Sequence, residues 1–360
     1  MWNREQANKL KSKYQTEVRL LSIKYNDLFI AWCTGAGKSK AAIDILSSSK
    51  EHWYIVCKET THIQNWIEEF KSHGKEKFLE SQVTLFCYDS LHKYEHTTAN
   101  LILDEIHCIT HKRLNSLKTI KANRVLALTA TLPIDKQIIL GQLKRNFFKH
   151  TITINKAIEE GILPFPTVYK VYVDFDTELQ RKEYQVLDKK VQSLINLLEG
   201  QYNEGIKNKM LNLASKRKRL LGESKTKSLQ ELLKRTSENK RFVCFTNTIE
   251  QCDNIGTTVI HSKISKNQIE DSIEKFNNLK LNSLFAVNML KESINMKDID
   301  VGYLTQLDNQ VKSFIQVLGR VFRANDPKLY VLILKNTRDE KFMETAFKGI
   351  DSKYVKEYKL

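Results

Sequence analysis

Three stretches of this chain set chemistry-bearing side chains at spacings that phosphate chemistry can use. In Trp32-Cys33-Thr34-Gly35-Ala36-Gly37-Lys38-Ser39, an apolar run from Leu28 to Ala31 leads into a glycine-rich turn, and a helix-like segment from Lys40 to Leu46 follows. Strand, glycine loop and helix start make a phosphate cradle: glycine lets the backbone N–H groups of Thr34, Gly35, Ala36 and Gly37 turn inward, and the helix N-terminus adds partial positive charge. Lys38 would reach the β and γ phosphates of a nucleoside triphosphate, and Ser39 would ligand Mg²⁺. One position departs from the G-x-x-x-x-G-K-[ST] pattern, since Trp32 stands where its first glycine belongs. A strand-to-helix turn that binds nothing is the competing reading of this stretch alone.

The second stretch, Asp104-Glu105-Ile106-His107, follows the apolar run Leu101-Ile102-Leu103. A carboxylate at the end of a buried strand can hold the Mg²⁺ that Ser39 also touches, while its neighbour orients or deprotonates a water. An acidic helix start favoured by the helix dipole would look the same in isolation. Thr129-Ala130-Thr131 follows another apolar run, Val125 to Leu128, and by itself reads as a capped turn. In the third stretch, Gln316 to Arg323, helical spacing puts Gln316, Gly319, Arg320 and Arg323 on one face, with Phe314, Val317, Leu318 and Val321 on the apolar side. Two guanidiniums with no acidic neighbour on their face suit a triphosphate better than a structural ion pair.

These side chains need a scaffold, and the 360 residues are enough for two domains with cores of their own. Short apolar runs alternating with helical stretches predict an α/β chain: mostly parallel sheets flanked by helices, with ligands at the carboxyl ends of the strands. The first domain is expected over residues 1–162. Gly161, Pro164 and Pro166 break the chain, and a second domain over 163–360 carries a second set of apolar runs and no phosphate loop. A helical insertion is expected at about 178–238; its cluster Lys216-Arg217-Lys218-Arg219 is either a basic face near nucleic acid or a solvated helix surface.

A formal charge of +16 favours a polyanionic partner, most simply nucleic acid, with lysine usage for solubility as the alternative. The six cysteines contain no C-x-x-C pair and read as buried reduced thiols of a cytoplasmic protein, in the host cytoplasm if the source is viral. No run of 18 apolar residues occurs and the N-terminus has no apolar export segment, so no membrane role is expected.

In order along nearly the whole chain, these segments resemble the superfamily two helicases of the DExH type. Cys33 to Ser39 looks like motif I, Asp104 to His107 like motif II, Thr129 to Thr131 like motif III, and Gln316 to Arg323 like motif VI. Val56-Cys57-Lys58, with Asn65-Trp66 and Glu69-Phe70 beyond it, is similar to motif Ia and its following helix. Phe245-Thr246-Asn247-Thr248 resembles motif IV, His261-Ser262 opens the next region, and Val287 to Asn295 resembles motif V, with Ser293 where glycine is common.

The resemblance implies two RecA-like domains with ATP and Mg²⁺ in the cleft between them and nucleic acid lying across both. Lys38 and Ser39 would hold phosphate and metal, Asp104 would anchor the metal, and Glu105 would be the general base. Arg320 and Arg323 would act as arginine fingers, while Gln316, His107, Thr129 and Thr131 would couple hydrolysis to domain movement. Gln6 is the candidate adenine reader, in competition with Gln15, and Asn295 is a further nucleotide contact. Lys58, Thr60, Thr246, Asn247, His261, Lys216 and Arg217 are the candidate nucleic-acid contacts.

Within the superfamily, the Asn-Trp and Glu-Phe signature leans toward DNA motors: phage branch-migration helicases, restriction-enzyme motor subunits and remodeller-like translocases. The expectation is an ATP-dependent DNA helicase or duplex translocase, a monomeric motor with unidentified replication or recombination partners. An RNA helicase and a nucleotide-gated clamp without productive hydrolysis are the alternatives. A small-molecule P-loop kinase would not need the second sheet with its arginine helix.

Overall fold

Segments that are apolar along their whole length can be buried on both faces, and they become the inner strands of two parallel sheets. The computed structural model describes residues 2–130, 134–200, 202–287, 296, 298–308, 310–321 and 324–360, in two compact units, Met1–Pro164 and Phe165–Leu360. Among the described residues, no helix is long and apolar enough to cross a membrane.

The first unit contains β1 (Asp27–Trp32), β2 (Trp53–Cys57), β3 (Val83–Cys87), β4 (Asn100–Leu103), β5 (Val125–Thr129) and β6 (Phe148–Ile152). They lie in the order β3-β2-β4-β5-β1-β6, every neighbouring pair parallel. The inner strands β2, β4 and β5 are buried at every residue, whereas the edge strand β6 is buried fully only at Ile152. A parallel sheet gathers all its strand ends on one side. The loop after β1, Lys58 after β2, Asp104 after β4 and the residues after β5 therefore emerge along one edge.

The second unit contains β7 (Thr167–Val173), β8 (Phe242–Thr246), β9 (Val259–Ile260), β10 (Ser283–Val287), β11 (Val301–Leu304), β12 (Lys328–Leu334) and β13 (Val355–Tyr358). Their order is β13-β7-β12-β11-β8-β10-β9, again all parallel. Tyr169, Tyr330 and Tyr303 stack across β7, β12 and β11 with ring centroids 4.7 and 5.6 Å apart. The arginine-bearing segment is the helix Val311–Val321, and it sits hard against β11: a Cβ added at Gly302 would meet Val321 at 2.7 Å.

Between β7 and β8 the chain forms three helices, Glu178–Gly200, Glu204–Glu223 and Thr226–Thr236. The first two pack along each other and are pinned where Arg217 pairs with Asp188. The expected α/β class with two helix-flanked parallel sheets is thus the architecture observed.

Candidate nucleotide site and nucleic-acid contacts

The loop after β1 takes the shape its glycines permit. Gly35 and Gly37 have φ of 86° and 91°, values that L side chains rarely adopt, and Gly37 caps the helix Lys38–Leu46. A Cβ at Gly37 would also lie 2.5 Å from Gln15 Nε2, so any side chain there would displace the Gln15 amide from the loop. The Lys38 ammonium donates to the Trp32 carbonyl at 2.8 Å and the Cys33 carbonyl at 3.4 Å, which arches the loop around the amine. Trp32 fits where a small residue was expected because its side chain turns away from the loop. It is wholly buried, its indole N–H donates to His150 Nδ1 on β6 at 2.8 Å, and Tyr14 meets it edge-on.

Of the two candidate adenine readers, the structure brings Gln15 to the loop. Gln15 is buried in the helix Arg4–Lys24 and its Nε2 donates to the Gly37 carbonyl at 3.3 Å. Gln6 is exposed in the first turn of the same helix, where its backbone N–H meets the Asn3 cap, and the structure does not bring it to the loop. The physical reason is phase: nine positions at ~100° each put Gln6 half a turn from Gln15. A cavity of about 450 Å³ opens beside Gln15, lined also by Ser12, Arg19, Lys40 and Asp44.

Asp104 leaves β4 with both carboxylate oxygens engaged. Oδ1 accepts the Glu105 N–H at 3.0 Å, and Oδ2 accepts the indole N–H of Trp66 at 3.0 Å. Glu105 holds a left-handed backbone, φ 48°, and its Oε2 lies 3.0 Å from His107 Nδ1. The same nitrogen is 3.3 Å from the hydroxyl of Thr129, which is fully buried at the end of β5. Glu105, His107 and Thr129 thus form one polar chain joining two strand ends, while Thr131 lies outside the described residues.

Burial pushes the His107 imidazole toward its neutral form, but hydrogen bonds to Cys108 and Glu105 outweigh it and hold the pKa above the ordinary value. A raised folded value means that this contact stabilises fully below the unfolded pKa of about 6.5 and is lost as pH rises through the folded value. His107→Gln is therefore expected to melt with less pH dependence than the wild type above about pH 6.5. Melting curves across that range test it, and parallel curves for the two proteins would contradict it.

Among the described residues, no group of three or more His, Cys, Asp or Glu side chains could cage a metal. Mg²⁺ is held by one or two carboxylates with substrate phosphates completing its shell. The Ser39 hydroxyl and the Asp104 carboxylate are hard oxygen donors at one sheet edge, and they fit the ion.

In the second unit, Gln316 is buried in the helix Val311–Val321. Arg320 belongs to that helix, but its side chain lies outside the described residues, as do Arg323 and Asn295. Four expected nucleic-acid contacts prove to be internal. Arg217 is buried against Asp188, because its position on the helix Glu204–Glu223 faces inward while Lys216 beside it faces solvent. Asn247 donates to the Lys218 carbonyl at 3.0 Å and packs on Gly222, where a Cβ would come within 2.5 Å of it. Thr246 is 2% exposed and bonds the Thr248 and Ala286 carbonyls. The His261 ring is buried with Nε2 2.9 Å from Asp253. These four assignments are corrected to structural ones, whereas Thr60 and Lys216 are exposed and Lys58 is half-buried beside Glu59.

Two features had no part in the sequence-based site. One is the approach of Trp66 and His62 to Asp104, which the i, i+4 spacing of two ring residues after β2 could have signalled. The other is a fully buried lysine, Lys225, at the junction of the helices Glu204–Glu223 and Thr226–Thr236. It pairs with Asp339 and donates to the carbonyls of Thr305 and Leu332.

Residues 224–325 match the family described as Helicase conserved C-terminal domain, a match that begins directly after the helix Glu204–Glu223. Among solved structures, the chain is similar to a variant of S. cerevisiae Dbp5 bound to RNA and ADP BeF3, with a TM-score of 0.61 and 11% identity over 93% of this chain and 85% of that one. Two RecA-like units, a phosphate loop on the first and a helicase C-terminal match on the second make the chain similar to the superfamily two helicases, a class of nucleic-acid-dependent ATPases. In sequence the chain is similar to the DNA 3'-5' translocase XPB2 of Sulfurisphaera tokodaii, at 25% identity over 91% of this chain and 82% of that protein.

Proposed function

We propose that this chain is an ATP-dependent DNA translocase or helicase of the DExH type. The observation that carries the reading is the loop after β1. Its positive-φ glycines and its lysine, clasped by two loop carbonyls, share a sheet edge with Asp104 and the Glu105–His107–Thr129 chain. DNA is preferred over RNA because the similarity to XPB2 extends along 91% of the chain, whereas the Dbp5 likeness concerns the fold.

In this reading, Lys38 binds the β and γ phosphates, and Ser39 and Asp104 would hold Mg²⁺, which when bound would supply charge neutralisation on the phosphoryl oxygens. Gln15 reads the base, with the adjoining cavity taking base and ribose. Glu105 orients the attacking water and takes its proton, and His107 fixes the Glu105 carboxylate while Thr129 ties both to β5. As the motif VI resemblance implies, Arg320 and Arg323 would supply guanidiniums to the transferring phosphoryl group. Lys58, Thr60 and Lys216 contact the nucleic-acid backbone, which positions the motor without reading sequence.

ATPase activity measured with single-stranded DNA, duplex DNA, branched DNA and RNA tests the proposal. DNA is expected to stimulate turnover and RNA to do so weakly. The apparent DNA affinity is expected to fall roughly 10³-fold between 50 and 200 mM salt if about six phosphates are gripped. Equal or stronger stimulation by RNA would move the assignment to RNA. Turnover at background on every polymer would reduce the chain to a nucleotide-gated clamp.

A further inference from the structure

The helix Thr60–Ser72 starts at the carboxyl end of β2 and buries His62, Trp66 and Phe70 on one face at four-residue intervals. That face meets Asp104. The Trp66 indole donates to Asp104 Oδ2 at 3.0 Å, and His62 Nδ1 lies 3.8 Å from the same oxygen. Asp104 Oδ1 accepts the backbone N–H of Glu105 at 3.0 Å, so each oxygen of this carboxylate is held from a different element. Trp66 is itself fixed, 3% exposed and tilted against Phe70 with centroids 6.3 Å apart. His62 is 7% exposed, and its Nε2 has no hydrogen-bond partner among the described residues.

A buried indole N–H needs an acceptor, and a main-chain carbonyl would serve for packing alone. Here the acceptor is the carboxylate that the nucleotide reading makes a metal ligand. Groups that hydrogen-bond a metal-ligating side chain fix its orientation and tune its affinity. Resting on that reading, we propose that Trp66 is a positioning residue: its N–H sets the plane of the Asp104 carboxylate for Mg²⁺, and each oxygen, having accepted one hydrogen bond, keeps a further lone pair that could serve the ion or its water. The buried His62 ring, with Nδ1 3.8 Å from Oδ2, packs beside the same oxygen.

The test follows binding of a fluorescent ATP analogue as Mg²⁺ is titrated, in the wild type, Trp66→Phe, Asp104→Asn and the double variant, with a melting curve for each. Phenylalanine keeps a ring against Phe70 and removes the N–H. Trp66→Phe is expected to raise the Mg²⁺ midpoint about tenfold or more, with affinity in EDTA at the wild-type value. In the Asp104→Asn background the same substitution is expected to add nothing, because a residue that acts through Asp104 has lost its target. Trp66→His, which retains a ring N–H, is expected to fall between the two and serves equally if the phenylalanine variant does not fold.

Identical Mg²⁺ midpoints for the wild type and Trp66→Phe overturn the proposal, and so does a shift of the same size in the Asp104→Asn background. Wild-type binding indifferent to Mg²⁺ overturns the nucleotide reading and the proposal together, which separates the two failures.

Discussion

With Lys38 replaced by alanine, DNA-stimulated ATP hydrolysis is expected to fall by about 10²–10³-fold while the fold survives. The size follows from what the ammonium does: it is a full positive charge placed where negative charge concentrates on the β and γ phosphates, in a loop that needs no rearrangement to present it. Such preorganised charge is worth several kcal/mol in the transition state, roughly 3–4 for a single donor. What the side chain does for stability is smaller. It donates to two loop carbonyls, Trp32 and Cys33, and each such bond contributes about 1 kcal/mol net. Steady-state turnover at saturating DNA, together with a melting curve, separates the two effects. Unchanged turnover in a folded Lys38→Ala protein would show that the phosphate site is elsewhere.

The second large effect is expected far from the nucleotide. Lys225 and Asp339 are 0% and 2% exposed, and their ion pair is surrounded by the Thr305 and Leu332 carbonyls, the Gln306 amide and the Leu334 N–H. Burial pulls the Lys225 pKa below its ordinary value, and Asp339 opposes that shift, which keeps an ammonium viable in the interior. Removing one partner strands the other charge. Lys225→Met or Asp339→Asn is therefore expected to destabilise the second unit by about 3–5 kcal/mol. A paired replacement of both residues by apolar side chains of similar volume is expected to recover most of that loss, because the desolvation cost disappears with the charges. Urea unfolding of the three variants measures this. Single variants within about 1 kcal/mol of the wild type would mean that water reaches the pair.

Much of the scaffold was legible because its strands are of the simplest kind. Runs such as Tyr54-Ile55-Val56-Cys57 and Leu101-Ile102-Leu103 have no polar residue to place, so only a doubly covered strand suits them. The edges were harder. β9 shrinks to Val259 and Ile260 because the two threonines before it contribute no strand residues, and β13 was not foreseen because Lys356 and Glu357 interrupt its apolar character.

In the site, the phosphate loop and the Asp104 strand end are local patterns that a sequence displays directly. The errors came from polar residues whose partners are distant in sequence. Arg217 sits in a run of positive charge, and nothing local says that Asp188 waits on the neighbouring helix. Asn247 reads as a contact for a ligand, yet it spends its amide on Lys218. Gln15 could have been chosen over Gln6 on periodicity alone, since the buried stripe Ala7, Gln15, Val18 and Ser22 leaves Gln6 on the outer face.

The strand order of the second unit bears on how the chain is made. β7 is the first strand of that unit to leave the ribosome, yet its neighbours in the sheet, β12 and β13, are the last two. The first unit can close its sheet once β6 has emerged, but β7 must remain with both backbone edges bare through the synthesis of the six helices and four strands described between it and β12. Unpaired edges of this kind recruit foreign strands. The nascent second half is thus the natural client for a chaperone, and slowing translation across residues 174–327 is where misassembly would be most readily provoked.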